Sequence, residues 1–155
     1  MAADPVRASV LIAAPPEVVF EYFTNPDEMV LWMGQAARLD ASPGGEFAVD
    51  VNGAAVRGRY VHVEPPSRLV FTWGFAGSDV LPPGSSTVEV LLHAEGGATR
   101  VEIVHRGLPA IEAESHAVGW PRFQQRLATT AAAHAQTGQT SSLLCNGHDA
   151  ACECA

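Results

Sequence analysis

The sequence predicts an α+β fold, in which a curved antiparallel sheet of about seven strands is closed by one long C-terminal helix, with two short helices near the start. Three observations carry that prediction. SRLVFTW (Ser67 to Trp73) and GATRVEIVHRGL (Gly97 to Leu108) read as half-buried strands, HAVGW (His116 to Trp120) opens a stripe at helical spacing, and turn-forming residues punctuate the stretch between them and before them. A curved sheet crossed by one long helix encloses a cavity.

Taken in order, VRASVLIA (Val6 to Ala13) is a β-rich run that ends at the AAPP punctuation. Pro16 suits the first turn of a helix, where its missing N–H costs nothing, and Glu17 suits the positive end of the helix dipole. Val18, Val19, Tyr22 and Phe23 give that short helix its apolar face. Asn25, Pro26, Asp27 and Glu28 repeat the start signal with a capping amide, a proline and two acids, which predicts a second helix from Pro26 to Met33.

Beyond it, Pro43-Gly44-Gly45, Asn52-Gly53, Pro65-Pro66 and Gly96-Gly97 separate β-branched and aromatic runs. The runs are Ala36–Ala41, Glu46–Val51, Ala55–Val63, Arg68–Phe75, Ser86–Ala94 and Thr99–Arg106, joined mainly as an antiparallel meander. Leu69, Phe71, Trp73 and Phe75 share one face, as do Val88, Val90 and Leu92, and Val101, Ile103 and His105. Those faces are predicted to meet the final helix, where His116, Trp120, Phe123, Leu127 and Ala131 form one stripe. Pro121 interrupts it, because a proline in a helix interior deletes one backbone hydrogen bond. The expectation is a short turn over Ile111 to Val118 and a long helix from about Trp120. Residues 1–136 then form the domain and 137–155 a flexible cysteine-containing tail.

Composition narrows the function. Hydrophobic residues make up 47% and charged residues 17% of the 155, enough apolar material for one sizeable core. All nine basic residues are arginine against seventeen acids, a formal charge of −8. That balance, with no basic stripe, argues against nucleic-acid binding. The absence of lysine excludes a lysine Schiff-base mechanism. Asp4 precedes the first apolar run, which does not resemble an export signal, so a cytoplasmic location is expected. No window reaches the roughly 18 to 20 apolar residues that a membrane helix needs.

The order of elements and the motifs IAAPPEVVFEYFTNPDEMVLWM (Ile12 to Met33), PGGEF (Pro43 to Phe47), RGRYVHVEPPSRLVFTW (Arg57 to Trp73), ATRVEIVHRGL (Ala98 to Leu108) and HAVGW together resemble the SRPBCC or START-like helix-grip superfamily. Within it, the chain is similar to bacterial proteins related to the C-terminal domain of the heat-shock-protein-90 ATPase activator. The resemblance implies a hydrophobic cavity between sheet and helix. The superfamily uses that cavity for apolar ligands in carriers and cyclases alike, so the fold does not choose one reaction.

On the predicted faces, the cavity candidates are Phe71, Trp73, Val90, Ile103, His105, His116, Trp120, Phe123 and Leu127. His105 is in register with Val101 and Ile103. Its imidazole is either a core group bonded to a neighbour or a base facing a ligand. His116 stands at a helix start or at the cavity mouth. The tryptophans suit an amphipathic pocket and an ordinary core equally, while Gly119 beside Trp120 leaves room for a ligand. Arg57, Arg59, Glu102 and Arg106 read as exposed ion pairs. In the tail, Cys145, His148, Cys152 and Cys154 could close around a soft metal ion or remain a flexible segment.

No nucleophile elbow, phosphate loop or HExxH pair is present, and no cofactor is implied. The leading expectation is therefore non-catalytic binding of a small apolar molecule. One alternative is a cyclase or hydratase using the cavity histidines. Another is a protein-interaction module that regulates a chaperone or other partner, for which solid packing among Trp73, His105 and Trp120 would be the sign.

Overall fold

The computed structural model describes the backbone of residues 4–147 and the side chains of residues 4–135. Seven strands, β1 (Val6–Ile12), β2 (Ala36–Leu39), β3 (Glu46–Val51), β4 (Ala54–Glu64), β5 (Arg68–Trp73), β6 (Ser86–Glu95) and β7 (Ala98–Arg106), form one antiparallel sheet in the order β1-β7-β6-β5-β4-β3-β2. Strands β2 to β7 are the predicted meander, and β1 pairs with β7 at the opposite edge from β2. Two helices, α1 (Pro16–Thr24) and α2 (Pro26–Met29), carry the chain between those edges.

The local chemistry follows the sequence. Asn52 and Gly53 both take positive φ, 48° and 88°, which is the two-residue turn that matches strand twist, and Gly96 and Gly97 repeat it at 57° and 88°. Asn25 closes α1 through its N–H to the Glu21 carbonyl (2.9 Å) and opens α2 by accepting from the Asp27 N–H (2.9 Å). Helix α2 stops at Met29, four residues before the expected end. There the chain tightens into turns that bury Trp32 and Met33, and the Trp32 indole donates to the Tyr22 carbonyl at 2.9 Å.

The third helix, α3 (Ala110–Gly147), corrects the expected break. It runs unbroken through Pro121 to Gly147. Pro121 and Ala117, whose carbonyl loses its partner, both lie on the exposed side, so water can take the place of the missing bond. The inward stripe is undisturbed: His116, Trp120, Leu127 and Ala131 are buried, and Phe123 is half-buried. Gln124, absent from that stripe, is buried too, and its amide donates to the Ala8 and Val101 carbonyls (both 3.2 Å), tying α3 to β1 and β7.

Strand β5 also ends two residues early, at Trp73 rather than Phe75. Phe75 makes only an isolated bridge to Val56, and its N–H donates to the Leu81 carbonyl at 2.7 Å. The segment after β5 thus folds back on itself and inserts Leu81 into the core. In that core Phe47 stacks on Phe71 with ring centroids 4.1 Å apart, and the Tyr60 hydroxyl donates to the Phe23 carbonyl at 2.8 Å. Burial pushes the ionisation of that phenol upward. Between α1 and α3 the Tyr22 hydroxyl and His134 Nδ1 lie 2.8 Å apart. Burial first, then the Glu28 charge, push the Tyr22 phenol up to about 12.

Candidate functional site

Where α3 crosses β5 and β7, two indoles and two imidazoles form a closed hydrogen-bond network. The Trp120 indole donates to His105 Nδ1 at 3.0 Å, so the neutral ring carries its proton on Nε2. That N–H meets Ser86 Oγ at 2.8 Å, and the serine hydroxyl in turn donates to the Trp73 carbonyl at 2.8 Å. One turn before Trp120, His116 Nε2 accepts from the Trp73 indole at 3.2 Å, which leaves Nδ1–H to donate to the Glu112 carbonyl at 2.8 Å. Every ring nitrogen of the four side chains has a protein partner.

His105 is fully buried, and its pKa is lowered from 6.5 to about 3. Burial is the main cause and the neighbouring His116 the lesser one. This imidazole is neutral across the physiological range and has no lone pair directed at a ligand. Of the two roles open to it in the sequence, the geometry matches the satisfied core group.

Trp73, His105 and Trp120 pack directly on one another, with centroids 5.2 to 6.0 Å apart, so no space lies between them. The cavity lies beside them, between α3 and the β3–β4 hairpin. Its volume is about 180 Å³, and Val51, Ala54, Val56, Trp73, Phe75, Ser115, His116, Gly119, Trp120 and Phe123 line it. Val56, Trp73 and Trp120 form the buried floor, while Val51, Ala54, Phe75, Ser115, Gly119 and Phe123 form the partly open rim.

Four of the nine cavity candidates, Trp73, His116, Trp120 and Phe123, line this space. Phe71, Val90, Ile103, His105 and Leu127 are buried in the solid core behind it. The hairpin residues Val51, Ala54 and Val56 were not among the candidates. Nothing in their own pattern marks them as lining rather than core, and only the curl of the sheet end toward α3 brings them in.

Other features lie apart from this space. A larger groove of about 830 Å³ on the outer face of the sheet includes Arg57 and Arg59, but both are engaged. Arg57 pairs with Asp50 at 3.0 Å, and Arg59 donates to the Gly44 carbonyl at 3.1 Å. Arg106 pairs with Glu89 at 3.0 Å, and His93 stands 3.6 Å from Glu102. Of the candidate metal ligands, His148, Cys152, Cys154 and the Cys145 side chain lie outside the described residues. Among the described residues no group of three His, Cys, Asp or Glu gathers as a metal site, and no helix is long and apolar enough to cross a membrane.

An open seven-stranded antiparallel sheet gripped by a long C-terminal helix over an aromatic pocket defines a helix-grip protein of the SRPBCC type. Within that class the chain belongs to the family "Activator of Hsp90 ATPase homolog 1-like protein", whose model matches residues 13–132. An AHSA1-like protein from Rhizobium etli has a solution structure similar to it, with 40% identity, a TM-score of 0.68, and coverage of 85% of this chain and 83% of that one. DynU16, a protein of the dynemicin biosynthetic locus, is similar at 31% identity and a TM-score of 0.71, over 82% of this chain and 46% of its own. The human activator of 90 kDa heat shock protein ATPase homolog 1 is 30% identical over 110 residues, 70% of this chain. Those residues span 31% of the human protein's length.

Proposed function

We propose that the protein binds a small apolar or amphipathic molecule in the pocket beneath α3 without converting it. The carrying observation is a space of about 180 Å³ walled by Trp73, Phe75, Trp120 and Phe123, with no charged residue in its lining. A cavity of about 150 Å³ is known to hold one benzene ring, so the space is of ligand size. Binding without turnover accords with His105 and His116, both of whose nitrogens are already bonded within the protein. A cyclase or hydratase would need one of them free as a base.

Native mass spectrometry of the full chain, compared with its denatured mass, tests this reading. Co-purifying organic mass supports it; no such mass and no uptake of added p-xylene would sink it.

Gly119 offers a second check. A Cβ built there meets nothing within 4 Å, on a helix interior where alanine is favoured over glycine by about 1 kcal/mol. Gly119→Ala should therefore raise the unfolding free energy by about 0.5–1 kcal/mol while its methyl reduces ligand occupancy. Chemical denaturation and native mass spectrometry on the same sample read the two effects; unchanged occupancy would place the ligand elsewhere.

A second reading rests on the human relative, whose name is that of a heat-shock-protein ATPase activator, and on the direct packing of Trp73, His105 and Trp120. In it the domain acts on a chaperone partner. A dose-dependent rise in the ATPase rate of a purified 90 kDa heat shock protein on adding the chain would support it; no change at saturating concentration would count against it.

A further inference from the structure

We infer that the pocket accepts only the hydrogen-bond-free end of its ligand, a single uncharged ring, and keeps every polar substituent of that ligand at the rim. This rests on the ligand-binding reading above and adds to it what the floor will reject.

The argument starts from the polar atoms. Trp73, His116 and Trp120 bring four ring nitrogens to the lining, and all four are spent on protein partners at 2.8 to 3.2 Å. The rest of the floor and walls, Val51, Ala54, Val56, Phe75, Gly119 and Phe123, brings no side-chain donor or acceptor. A ligand hydroxyl pressed onto Val56 would leave water and find no partner. It could gain one only by taking the Trp73 or Trp120 indole from its histidine, which leaves a buried imidazole nitrogen bare.

The rim is different. Ser115 is exposed, and its hydroxyl donates to the Glu112 carbonyl at 3.1 Å, which leaves its oxygen able to accept from a ligand group that also meets water. The rings of Phe75, Trp73, Trp120 and Phe123 line the space one beside the next, with successive centroids 6.2, 5.2 and 6.3 Å apart. Aromatic walls at such spacings favour an aromatic ligand ring through edge and face contacts. The space of about 180 Å³ holds one such ring and little more.

Three probes of nearly equal size separate the possibilities. p-Xylene has two apolar ends, p-cresol has one, and hydroquinone has none. Isothermal titration of the full chain should give p-xylene and p-cresol affinities within a few-fold of each other, since the cresol hydroxyl can point outward. Hydroquinone, forced to bury one hydroxyl, should bind weaker by at least about tenfold, the ordinary consequence of one unpaired buried polar group.

Hydroquinone binding as well as p-cresol would overturn the inference while leaving the pocket reading intact. Failure of all three to bind would overturn both. Gly119→Leu, whose side chain would occupy the space, should bind none of them; p-xylene binding to that variant as to the parent would put the ring elsewhere and also overturn the proposal.

Discussion

Replacing His105 by phenylalanine is expected to cost about 2–4 kcal/mol of folding stability, measured by urea denaturation. The ring is fully buried and its loss strands two groups: the Trp120 indole N–H, and the acceptor side of Ser86, which keeps only its bond to the Trp73 carbonyl. An unsatisfied buried donor costs about 1–3 kcal/mol, and fitting a phenyl ring adds strain. The cycle with Trp120→Phe isolates the hydrogen bond. Each single change strands the other partner, whereas the double variant strands neither, so it should be less destabilised than the sum of the singles by about 1 kcal/mol or more. Strict additivity would show that the two rings only fill space.

The same residue gives the protein an acid sensitivity whose sign is fixed. His105 titrates near 6.5 in the unfolded chain and near 3 in the folded one. Between those values the unfolded state binds the extra proton, so stability falls as pH drops below about 6.5 and goes on falling toward 3. From pH 6.5 to pH 5 the contribution is about 1.6 kcal/mol, because the slope approaches about 1.36 kcal/mol per pH unit only once the unfolded imidazole is mostly protonated. That window lies above the range of ordinary carboxylates, and above Glu89, whose pKa is lowered by its hydrogen bonds to Arg68 and Arg106. The slope of stability against pH there should be visibly shallower in His105→Phe than in the parent; equal slopes would remove His105 as its source.

The strands were legible because their signals are local and redundant. Asn52-Gly53 and Gly96-Gly97 name a turn type that demands positive φ, and β-branched runs on either side set the register that the structure adopts. The end of β5 and the continuity of α3 were not legible. Phe75 continues the alternation of Leu69, Phe71 and Trp73, yet tertiary contacts with Leu81 pull it out of the strand. Pro121 reads as a break because sequence does not reveal that its side of the helix faces water.

The site was half legible, for a related reason. Period-two and helical spacing identify inward faces, and all nine candidates do point inward: eight are buried and Phe123 half-buried. They cannot tell a filled interior from a pocket. Phe71 and Ile103 are as apolar as Trp73, but the stacked Phe47 ring fills the space in front of Phe71. At the other end, small Ala54 and Gly119 leave the opening. Gln124 was invisible because a glutamine on a helix is ordinarily exposed, and only the carbonyls of Ala8 and Val101 above it explain its burial.

Gly74→Ala should be among the most damaging single-methyl changes in the molecule, at about 2–3 kcal/mol, because the atom it would strike is backbone. An added Cβ overlaps the Pro82 carbonyl oxygen and lies 2.5 Å from its carbon, whereas van der Waals contact begins beyond 3.4 Å. Relief requires the segment from Gly74 to Ser85 to swing outward. That segment holds Leu81 in the core and Phe75 at the pocket rim, and its Gly84 N–H donates to the Arg57 carbonyl at 3.1 Å. The change should therefore weaken p-xylene binding as well as folding. Gly77→Ala, in the same segment with φ +83° and nothing within 4 Å of its Cβ, should cost only the left-handed backbone strain of about 1–2 kcal/mol and leave binding unchanged. Equal losses of affinity in the two variants would mean that general loosening of the segment, and not displacement of Phe75, governs the pocket.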